Sequence, residues 1–398
     1  MAEAAVTRPT EAPAAQARLL TGAGAVAEAM RQIDPDVVPV YPITPQTPMI
    51  EGFAKLVADG FASSELINVE SEHSAMSAAI GAALAGARTM TATSSQGLAL
   101  MTEVVYVAAS QRAPIVVAMG NRALSGPINI HCDHSDSMLI RDAGVVQLFA
   151  ESAQDVYDLM VIAPRVAEHP DVMVPVFVCQ DGFTVTHSAE PVTLLEDEQV
   201  KAFVGDYHVR YPLLDHKHPT SQGTLAMPDY FYELKFQEVH AMRAALDVVP
   251  AVAAELCKLT GRPIPMLEAY ELDDADRALV VLGSTAGTIK DVVDEMRAEG
   301  ERVGLLRVCS FRPFPREAVR AALGGVASVV VLDRSISPGG TPALYADCAR
   351  VLSATPASVQ GCVFGLGGRE LEPDGVREAF DHASRPAPGE LHYIDLRE

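Results

Sequence analysis

A stiff loop that carries the hydroxyl of Thr44 follows the first clear strand pattern of the sequence. Residues 37–41 have the sequence VVPVY, and Pro42 and Pro45 then fix two φ angles and remove two backbone donors, so that neither strand nor helix continues. In an open α/β sheet, ligands bind at the carboxyl ends of strands. A helix is predicted to begin near residues 46–48, and its N-terminus suits a carboxylate or the polar edge of a ring. The alternative is a plain strand-to-helix turn.

Two further junctions between strand and helix carry charged side chains. Glu70 and Glu72 precede the helix predicted over residues 75–87, whose small side chains let a neighbouring backbone or a flat ligand approach closely. Arg122 follows the apolar strand predicted over residues 114–119. Position alone leaves alternatives open. Glu72 is equally explained as an acidic residue of a first helical turn, favoured by the helix dipole, and Arg122 as a surface or capping arginine.

Histidine, cysteine and aspartate cluster twice in the sequence. The first run is HCDHSD at residues 131–136, which contains His131, Cys132 and His134, and the second is DHKH at residues 215–218. A structural zinc site takes four ligands, and neither run has further ligands close by in the sequence. We therefore interpret the first run as lining a pocket or an interface, and the second as a solvated loop.

Strand and helix patterns alternate through most of the chain, which predicts an α/β fold with parallel sheets. Residues 1–17 are rich in alanine, proline and threonine and are predicted to be a disordered tail. A first α/β domain is expected over residues 18–186. An excursion interrupted by prolines, with a helical connector, is expected over residues 187–268, and a second α/β domain over residues 269–398.

The composition narrows the classes of function. The formal net charge of −22 disfavours nucleic acid as a partner, and no run of about eighteen or more apolar residues predicts a membrane span. The six cysteines lie far apart without a CxxC motif, so this chain offers no framework for a zinc or iron–sulfur site, and a reducing, cytoplasmic location is expected. The glycine-rich run at residues 365–369 has neither a Walker nor a GxGxxG pattern, and we interpret it as a structural turn.

Several longer motifs, in order along the chain, resemble those of one family. They are YPITPQTP at residues 41–48, VESEHSA at 69–75, TATSSQGLALM at 91–101, GNRALSGPINI at 120–130, RPFP at 312–315 and GLGGRE at 365–370. By these motifs the chain resembles the α subunit of pyruvate:ferredoxin oxidoreductase, one of the thiamine-diphosphate-dependent 2-oxoacid:acceptor oxidoreductases. The resemblance implies a pyrimidine-type thiamine-diphosphate-binding domain with a parallel sheet, followed by a transketolase C-terminal-like α/β domain.

The resemblance implies roles for residues in the matching motifs. Thr44 is the position that hydrogen-bonds the 2-oxoacid, and Arg122 is the position that binds its carboxylate, for which a guanidinium offers two parallel charged hydrogen bonds. Glu72 is the position that contacts the aminopyrimidine ring of thiamine, where a carboxyl group on the ring nitrogen favours the imino tautomer that takes the C2 proton. Pro42 and Ile43 are expected beside the same cofactor.

The resemblance also implies partners, because parts of the family's machinery are missing from this sequence. It contains neither a GDG motif followed by asparagine, which would hold Mg²⁺ and the diphosphate, nor a cysteine cluster to accept electrons. A β subunit is expected to hold the diphosphate and Mg²⁺, and γ and ferredoxin-like δ subunits to supply the CoA-side parts and the iron–sulfur clusters. The implied reaction is the reversible oxidative decarboxylation of pyruvate, or a related 2-oxoacid, to acyl-CoA and CO₂, and only the assembly is expected to be active.

Three alternatives stay open at this point. Residues 131–136 differ from the aromatic residues expected in typical pyruvate-type relatives, so an aryl or branched 2-oxoacid such as phenylglyoxylate or 2-oxoisovalerate is the alternative substrate. A complete transketolase-like enzyme is disfavoured by the missing diphosphate motif. A non-catalytic assembly subunit is disfavoured by the joint presence of Thr44, Glu72 and Arg122.

Overall fold

A computed structural model describes residues 17–383 and 391–397 of the chain. In chain order, the elements up to residue 204 are β1 (Ala17–Thr21), α1 (Gly22–Ile33), β2 (Val37–Val40), α2 (Thr47–Ala58), β3 (Glu65–Asn68), α3 (Glu72–Ala85), β4 (Thr89–Thr93), α4 (Ser95–Ser110), β5 (Ile115–Asn121), α5 (Ser135–Leu139), β6 (Val146–Phe149), α6 (Ala153–Ala167), β7 (Val176–Asp181), β8 (Ala189–Thr193) and α7 (Asp197–Val204). After an irregular segment they continue as α8 (Phe231–Thr260), β9 (Leu267–Tyr270), β10 (Arg277–Val281), α9 (Thr285–Ala298), β11 (Val303–Val308), β12 (Ser310–Arg312), α10 (Arg316–Leu323), β13 (Ser328–Asp333), α11 (Ala343–Leu352), β14 (Ser358–Val363), a 3₁₀ turn (Leu366–Gly368), α12 (Pro373–Ala383) and β15 (Leu391–Tyr393).

The predicted disordered tail lies outside the described residues, except for its last residue. That residue, Ala17, begins β1. Among the described residues, none of the helices combines the length and the apolar character that crossing a membrane requires.

Seven strands form the first sheet, in the order β12-β6-β7-β5-β4-β2-β3. All neighbouring strands are parallel except β12, which runs antiparallel to β6. Side chains of β5 alternate between two cores, one shared with α1, α2 and α6 and the other shared with α3 and α4. Because helices cover both faces, β5 is buried along its whole length, which explains its apolar sequence.

Six strands form the second sheet, in the order β15-β14-β13-β10-β11-β9. Only β9 is antiparallel to its neighbour, β11. One face packs on α9 and α12 through Leu279 and Val281 of β10. The opposite face, with Ala278 and Val280, joins the core that α3 and α4 share with the first sheet. The two sheets are therefore packed through a continuous apolar layer.

The region between the sheets contains more regular structure than the sequence predicts. β8 pairs antiparallel with β1 in a separate two-stranded sheet. Pro191 lies within β8, where the edge of a two-stranded sheet tolerates a residue without an amide hydrogen. The predicted long helix is observed as α8, whose buried residues recur every three or four positions and pack against α6: Ala241, Ala245, Val249, Val252 and Leu256.

Asp181, the last residue of β7, connects the two sheets through a buried polar network. Its carboxylate shares a 2.8 Å hydrogen bond with His134 Nε2 and accepts others from Ser284 Oγ at 2.6 Å and Arg334 Nη1 at 3.0 Å. Ser284 precedes α9 and Arg334 follows β13, so both partners belong to the second sheet's layer. Burial favours the neutral acid, but the electrostatic attraction of His134 and Arg334 holds the pKa of Asp181 below its ordinary value.

Two residues of the run at 131–136, Cys132 and His134, lie in or beside the same network. The sulfur of Cys132 lies within 4.8 Å of a ligand atom of His134 and one of Asp181, a grouping that could suit a metal ion. However, the guanidinium of Arg334 already bonds the carboxylate, and a cation added beside this buried arginine would be strongly disfavoured. Cys132 and His134 are thus buried at the contact between the two sheets, which agrees with the interface interpretation of this run.

Replacing Asp181 with asparagine is expected to lower the free energy of unfolding by about 3–5 kcal/mol, because the substitution removes the carboxylate that is hydrogen-bonded to the buried Arg334. The depressed pKa adds a pH signature. The carboxylate's contribution is present above the ordinary aspartate pKa of about 4 and is lost as the pH falls towards the lower folded-state pKa, so wild-type stability declines on acidification. Thermal unfolding from pH 3 to pH 7 measures both effects, and an equal acid-dependent decline in the variant would contradict the assignment.

Candidate active site

The carboxyl ends of three parallel strands meet at one edge of the first sheet. The Thr44 loop follows β2, residues 94–97 follow β4, and Arg122 follows β5. Glu72, the first residue of α3, comes shortly after the adjoining β3. Because parallel strands present their carboxyl ends on the same side, the sheet gathers residues that are far apart in the sequence.

Arg122 and Thr44 are in direct contact across this edge. Arg122 Nη1 donates to the carbonyl of Thr44 at 2.9 Å, and Nε donates to the carbonyl of Asn129 at 2.8 Å. Within the described residues, Nη2 has no hydrogen-bond partner, so the guanidinium retains N–H groups for an anion. Burial lowers the pKa of Arg122, and the nearby charge of Asp136 opposes this effect. The side chain of Thr44 is exposed.

The second sheet's layer supports the Arg122 loop through the glycine-rich turn. Asn129, which accepts from Arg122, donates its side-chain amide to the carbonyl of Gly367 at 3.0 Å. Gly367 and Gly368 both have positive φ, and a Cβ on Gly368 would lie only 2.3 Å from the Cβ of His131. The turn therefore carries glycine because the Arg122 loop approaches its backbone, as the structural interpretation of this run implies.

Asp136 holds the ends of β4 and β5 together. Its buried carboxylate accepts hydrogen bonds from the backbone amides of Arg122 at 2.8 Å and Ser95 at 3.0 Å, and from Asn121 Nδ2 at 2.9 Å. Burial raises the pKa of Asp136 to about 6, although these hydrogen bonds oppose the change. The partners of Asp136 come from two different strand ends, so the sequence around Asp136 does not indicate this role.

Glu72 begins α3 and is buried against the turn after β4. Ser71 caps the helix by accepting a hydrogen bond from the amide of Ser74 at 3.2 Å. Glu72 is only 7% exposed, yet no hydrogen bond joins its carboxylate to another of the described residues. A Cβ on Gly97 would lie 2.8 Å from Glu72 Oε1, so this glycine makes room for the carboxylate. Glu70, in contrast, is exposed and accepts from Ser74 Oγ at 2.6 Å.

Four buried polar atoms at the carboxyl ends of β2, β4 and β5 lack hydrogen-bond partners among the described residues: Gln46 Nε2, Thr93 Oγ1, Ser94 Oγ and Asn121 Oδ1. A Cβ on Gly120 would lie 3.2 Å from Ser94 Oγ and 3.4 Å from Pro45 Cγ, so Ser94 is close to the Thr44 loop. Buried polar atoms are normally paired, and unpaired ones in a cleft point to a ligand with matching donors and acceptors. The motifs did not indicate a role for these atoms. A polar turn directly after a strand end could have indicated a binding site, because α/β sheets bind ligands there.

The remaining predicted site residues lie in different surroundings. Pro42 is exposed and Ile43 is half-buried, both on the loop that precedes α2. His131 packs against Phe183, with ring centroids 4.8 Å apart. Cys132 and His134 belong to the buried Asp181 network. The exposed DHKH run forms a local hydrogen bond between His218 and Asp215, as expected for a solvated loop.

Comparisons with protein families agree with the motif analysis. Residues 28–254 match the model described as pyruvate flavodoxin/ferredoxin oxidoreductase, thiamine diphosphate-binding, and residues 275–376 match pyruvate:ferredoxin oxidoreductase core domain II. The chain is 53% identical to pyruvate synthase subunit PorA of Thermotoga maritima, over 95% of this chain and 98% of the relative. It is 44% identical to the subunit of the same name from Methanocaldococcus jannaschii, over 96% and 99% of the two chains. It is 39% identical to ketoisovalerate oxidoreductase subunit VorA of Pyrococcus horikoshii, over 89% and 90%.

Two solved structures share the fold. A 2-oxoglutarate:ferredoxin oxidoreductase from Magnetococcus marinus superposes with a TM-score of 0.73 at 19% identity, over 92% of this chain and 65% of the longer chain. A split-gene transketolase superposes with a TM-score of 0.55 at 15% identity, over 92% of this chain and 98% of the other. The predicted fold class, a thiamine-type parallel-sheet domain followed by a transketolase C-terminal-like domain, is confirmed.

The predicted family is confirmed as well, since two family models together cover most of the chain and full-length relatives exceed 40% identity. The chain therefore belongs to the pyruvate:ferredoxin oxidoreductase family, as the α-type subunit of a 2-oxoacid:ferredoxin oxidoreductase that acts together with other subunits.

Proposed function

We propose that this chain forms the aminopyrimidine and 2-oxoacid side of a thiamine-diphosphate site in a complex that interconverts pyruvate and acetyl-CoA plus CO₂, with ferredoxin as electron acceptor. The observation that carries this proposal is the contact between Arg122 and Thr44 at the edge of the first sheet. Arg122 keeps N–H groups free to bind the carboxylate of the acid, and the exposed hydroxyl of Thr44 is available to hydrogen-bond it. The carboxylate of Asp136 positions Arg122 by accepting a hydrogen bond from the backbone amide of Arg122.

The described residues fit the aminopyrimidine half of thiamine diphosphate. Glu72 offers a buried carboxyl group for the ring nitrogen, and Pro42 and Ile43 lie on the loop that begins the site. Gln46 Nε2, Thr93 Oγ1 and Ser94 Oγ supply buried atoms with unused hydrogen-bonding capacity. When bound, the cofactor supplies the electron sink for the loss of CO₂.

The other parts of the reaction are proposed to come from partner subunits. The sequence has no GDG motif, so a β subunit is proposed to hold the diphosphate and Mg²⁺. Its six cysteines are unpaired with one another and mostly buried, so the iron–sulfur clusters are assigned to a ferredoxin-like δ subunit, and the CoA-side parts to a γ subunit. A cytoplasmic location is proposed from the same free thiols.

Pyruvate is favoured over aryl and branched acids. The relatives with the highest identities quoted above are named pyruvate synthase subunits, at 53% and 44%, whereas the ketoisovalerate relative is at 39%. The alternative of an enlarged or more polar pocket depended on residues 131–136 lining it. In the structure, Cys132 and His134 are committed to the contact between the two sheets, and this weakens the basis of that alternative.

Gly97→Ala is expected to weaken thiamine diphosphate binding about tenfold. The added Cβ would lie 2.6 Å from Thr93 Oγ1 and 2.8 Å from Glu72 Oε1, so the carboxylate must move. Such overpacking costs about 1–3 kcal/mol. Calorimetric titration of cofactor-stripped complex measures the change. Gly325→Ala is the matched control, because nothing lies within 4 Å of its Cβ position. Equal cofactor affinity in the two variants would show that Glu72 does not face the cofactor.

The decisive test of the proposed function is purification of the complex from its own host through a tag on this chain. Material that contains iron–sulfur clusters and reduces viologen with pyruvate and CoA is expected, with slower turnover on 2-oxoisovalerate and phenylglyoxylate. A faster rate with a branched or aryl acid would overturn the choice of pyruvate. A complex that is inert to every acid would support the non-catalytic assembly role instead.

A further inference from the structure

An open cleft of about 1050 Å³ lies between α8, the turn at residues 312–315 and α11. None of the candidate active-site residues lines it. Seven residues of α8 line the cleft, related to one another by spacings of three and four that place them on one side of the helix: Lys235, Glu238, Val239, Met242, Arg243, Leu246 and Asp247. The opposite face of α8 packs on α6, so α8 lies between the buried core and this cleft.

The cleft has an apolar floor that continues along α8. Val239 is 42% exposed and Leu246 is 40% exposed, and Phe314 and Met242 line the floor between them. Phe231 begins the helix about two turns before Val239 and is 57% exposed on the same side of the helix. The stripe from Phe231 to Leu246 is roughly 22 Å long at 1.5 Å per residue. Exposed apolar side chains spread over this length, with Lys235 between Phe231 and Val239, are typical of an interaction surface.

The lining of the cleft has a small positive excess, six basic against five acidic residues, in a chain whose net charge is −22. Arg243, Arg316 and Arg350 are exposed and form no ion pair with any described residue. The other cations of the rim are neutralised inside the chain, as Lys235 pairs with Glu238 and Arg312 with Asp347. Of the remaining acidic residues of the lining, Glu317 pairs with Arg320, and Asp142 lies 3.6 Å from Arg141. Asp247 is then the acidic residue of the lining that has no ion pair among the described residues.

We propose that this cleft, lined by α8 and ringed by Arg243, Arg316 and Arg350, docks an amphipathic helix of another subunit, with apolar residues toward Val239 and Leu246 and carboxylates toward the arginines. Helices bind in apolar grooves through anchors at helical spacing, and the stripe offers matching positions. Complementary charge at the rim then fixes the register of the partner. This inference rests on the proposed function in that it takes the partner to be a subunit of the same complex.

Charge argues against a second copy of this chain as the occupant. A two-fold symmetric contact places the same patch on both sides, so the positive excess of the lining, six basic against five acidic residues, would be doubled in the interface. Like charges brought together in this way disfavour association. A separate subunit that presents carboxylates meets no such penalty.

Photo-crosslinking in the intact complex tests the proposal directly. A benzophenone amino acid replaces Met242 in the cleft, and the cross-linked peptides are identified by mass spectrometry of the purified assembly. The expected product joins Met242's position to an amphipathic peptide, rich in aspartate and glutamate, of a different subunit that copurifies in fixed ratio. Cross-links to this chain's own peptides, or no cross-links in an intact assembly, would overturn the proposal.

A charge-reversal pair provides an independent measurement. Arg243→Glu with Arg350→Glu is expected to lower the affinity for the partner subunit at least tenfold, seen as dissociation during sedimentation at moderate salt. Lys201→Glu with Lys258→Glu changes the net charge equally at exposed positions outside the cleft and is the control. Equal dissociation of both variants would contradict the proposal. If the complex assembles through the cleft but never reduces viologen, the proposed function fails and the docking surface stands. If the complex reduces viologen with pyruvate but assembles without the cleft, the docking surface fails and the proposed function stands.

Discussion

Replacing Arg122 with alanine is expected to reduce kcat/KM for pyruvate about 150-fold, chiefly through a higher KM. The guanidinium keeps N–H groups that no described residue uses, and it lies against the exposed Thr44 loop. A hydrogen bond to a charged group contributes about 3 kcal/mol at the upper end, and this corresponds to about 150-fold. Steady-state viologen reduction at varied pyruvate concentration measures the loss.

Two companion variants separate substrate binding from loop support, since Arg122 also holds the carbonyls of Thr44 and Asn129. Arg122→Lys keeps a positive charge but loses the planar fork, so it should recover only part of the pyruvate affinity. Arg320→Ala removes an exposed arginine on α10 and should leave KM unchanged. If Arg122→Ala weakened thiamine diphosphate binding as strongly as pyruvate binding, the side chain would act on the loop and not on the acid.

Those parts of the fold in which burial imposes a pattern could be predicted from the sequence. The strand predicted over residues 114–119 is observed as Ile115–Asn121, because a central parallel strand covered on both faces must be apolar at every position. The short helix at Arg316–Leu323 follows the same rule, since its apolar residues Val319 and Leu323 face the core one turn apart.

Elements whose formation depends on distant partners could not be predicted. β6 is only four residues long and is fixed by pairing with β7 and with β12, which lies more than 160 residues further on. β8 contains a proline, which counts against a strand until its edge pairing with β1 is known. Local sequence carries no information about such pairings.

The candidate site likewise has positions that could be predicted from the sequence and contacts that could not. The positions of Thr44 and Arg122 after strand ends could be predicted, and the structure brings these two residues into contact, whereas their site roles were implied only by the family resemblance. The hydrogen bonds of Asp136 could not be predicted, because they link two strand ends that become neighbours only in the folded sheet. The role of Gly97 likewise depends on the side chain of Glu72 lying across it. The chemical roles of Thr44, Glu72 and Arg122 stay predictions, and kinetics must decide them.

Glu72→Gln is the variant from which the largest loss is expected, a fall in kcat of about 10²- to 10⁴-fold, the range found when an acid–base group is removed. Glutamine keeps the size of Glu72 and can still hydrogen-bond the ring nitrogen, but its amide cannot exchange a proton there. Cofactor affinity should therefore change much less than turnover. Exchange of the thiamine C2 proton for deuterium, followed by NMR in the purified complex, should slow in parallel with kcat.

Glu70→Gln is the matched control, since it makes the same chemical change two residues away in the same motif. Glu70 is exposed and bonded to Ser74 Oγ, whereas Glu72 is buried beside Gly97 with no hydrogen bond to the described residues. We therefore expect Glu70→Gln to retain turnover within about twofold, as is usual for a surface substitution. If the two variants exchanged behaviour, the register of the motif would be wrong by two residues. If neither slowed proton exchange, the catalytic carboxyl would have to come from another subunit, because the sheet edge described here offers no second buried glutamate beside the unpaired atoms of Thr93 and Ser94.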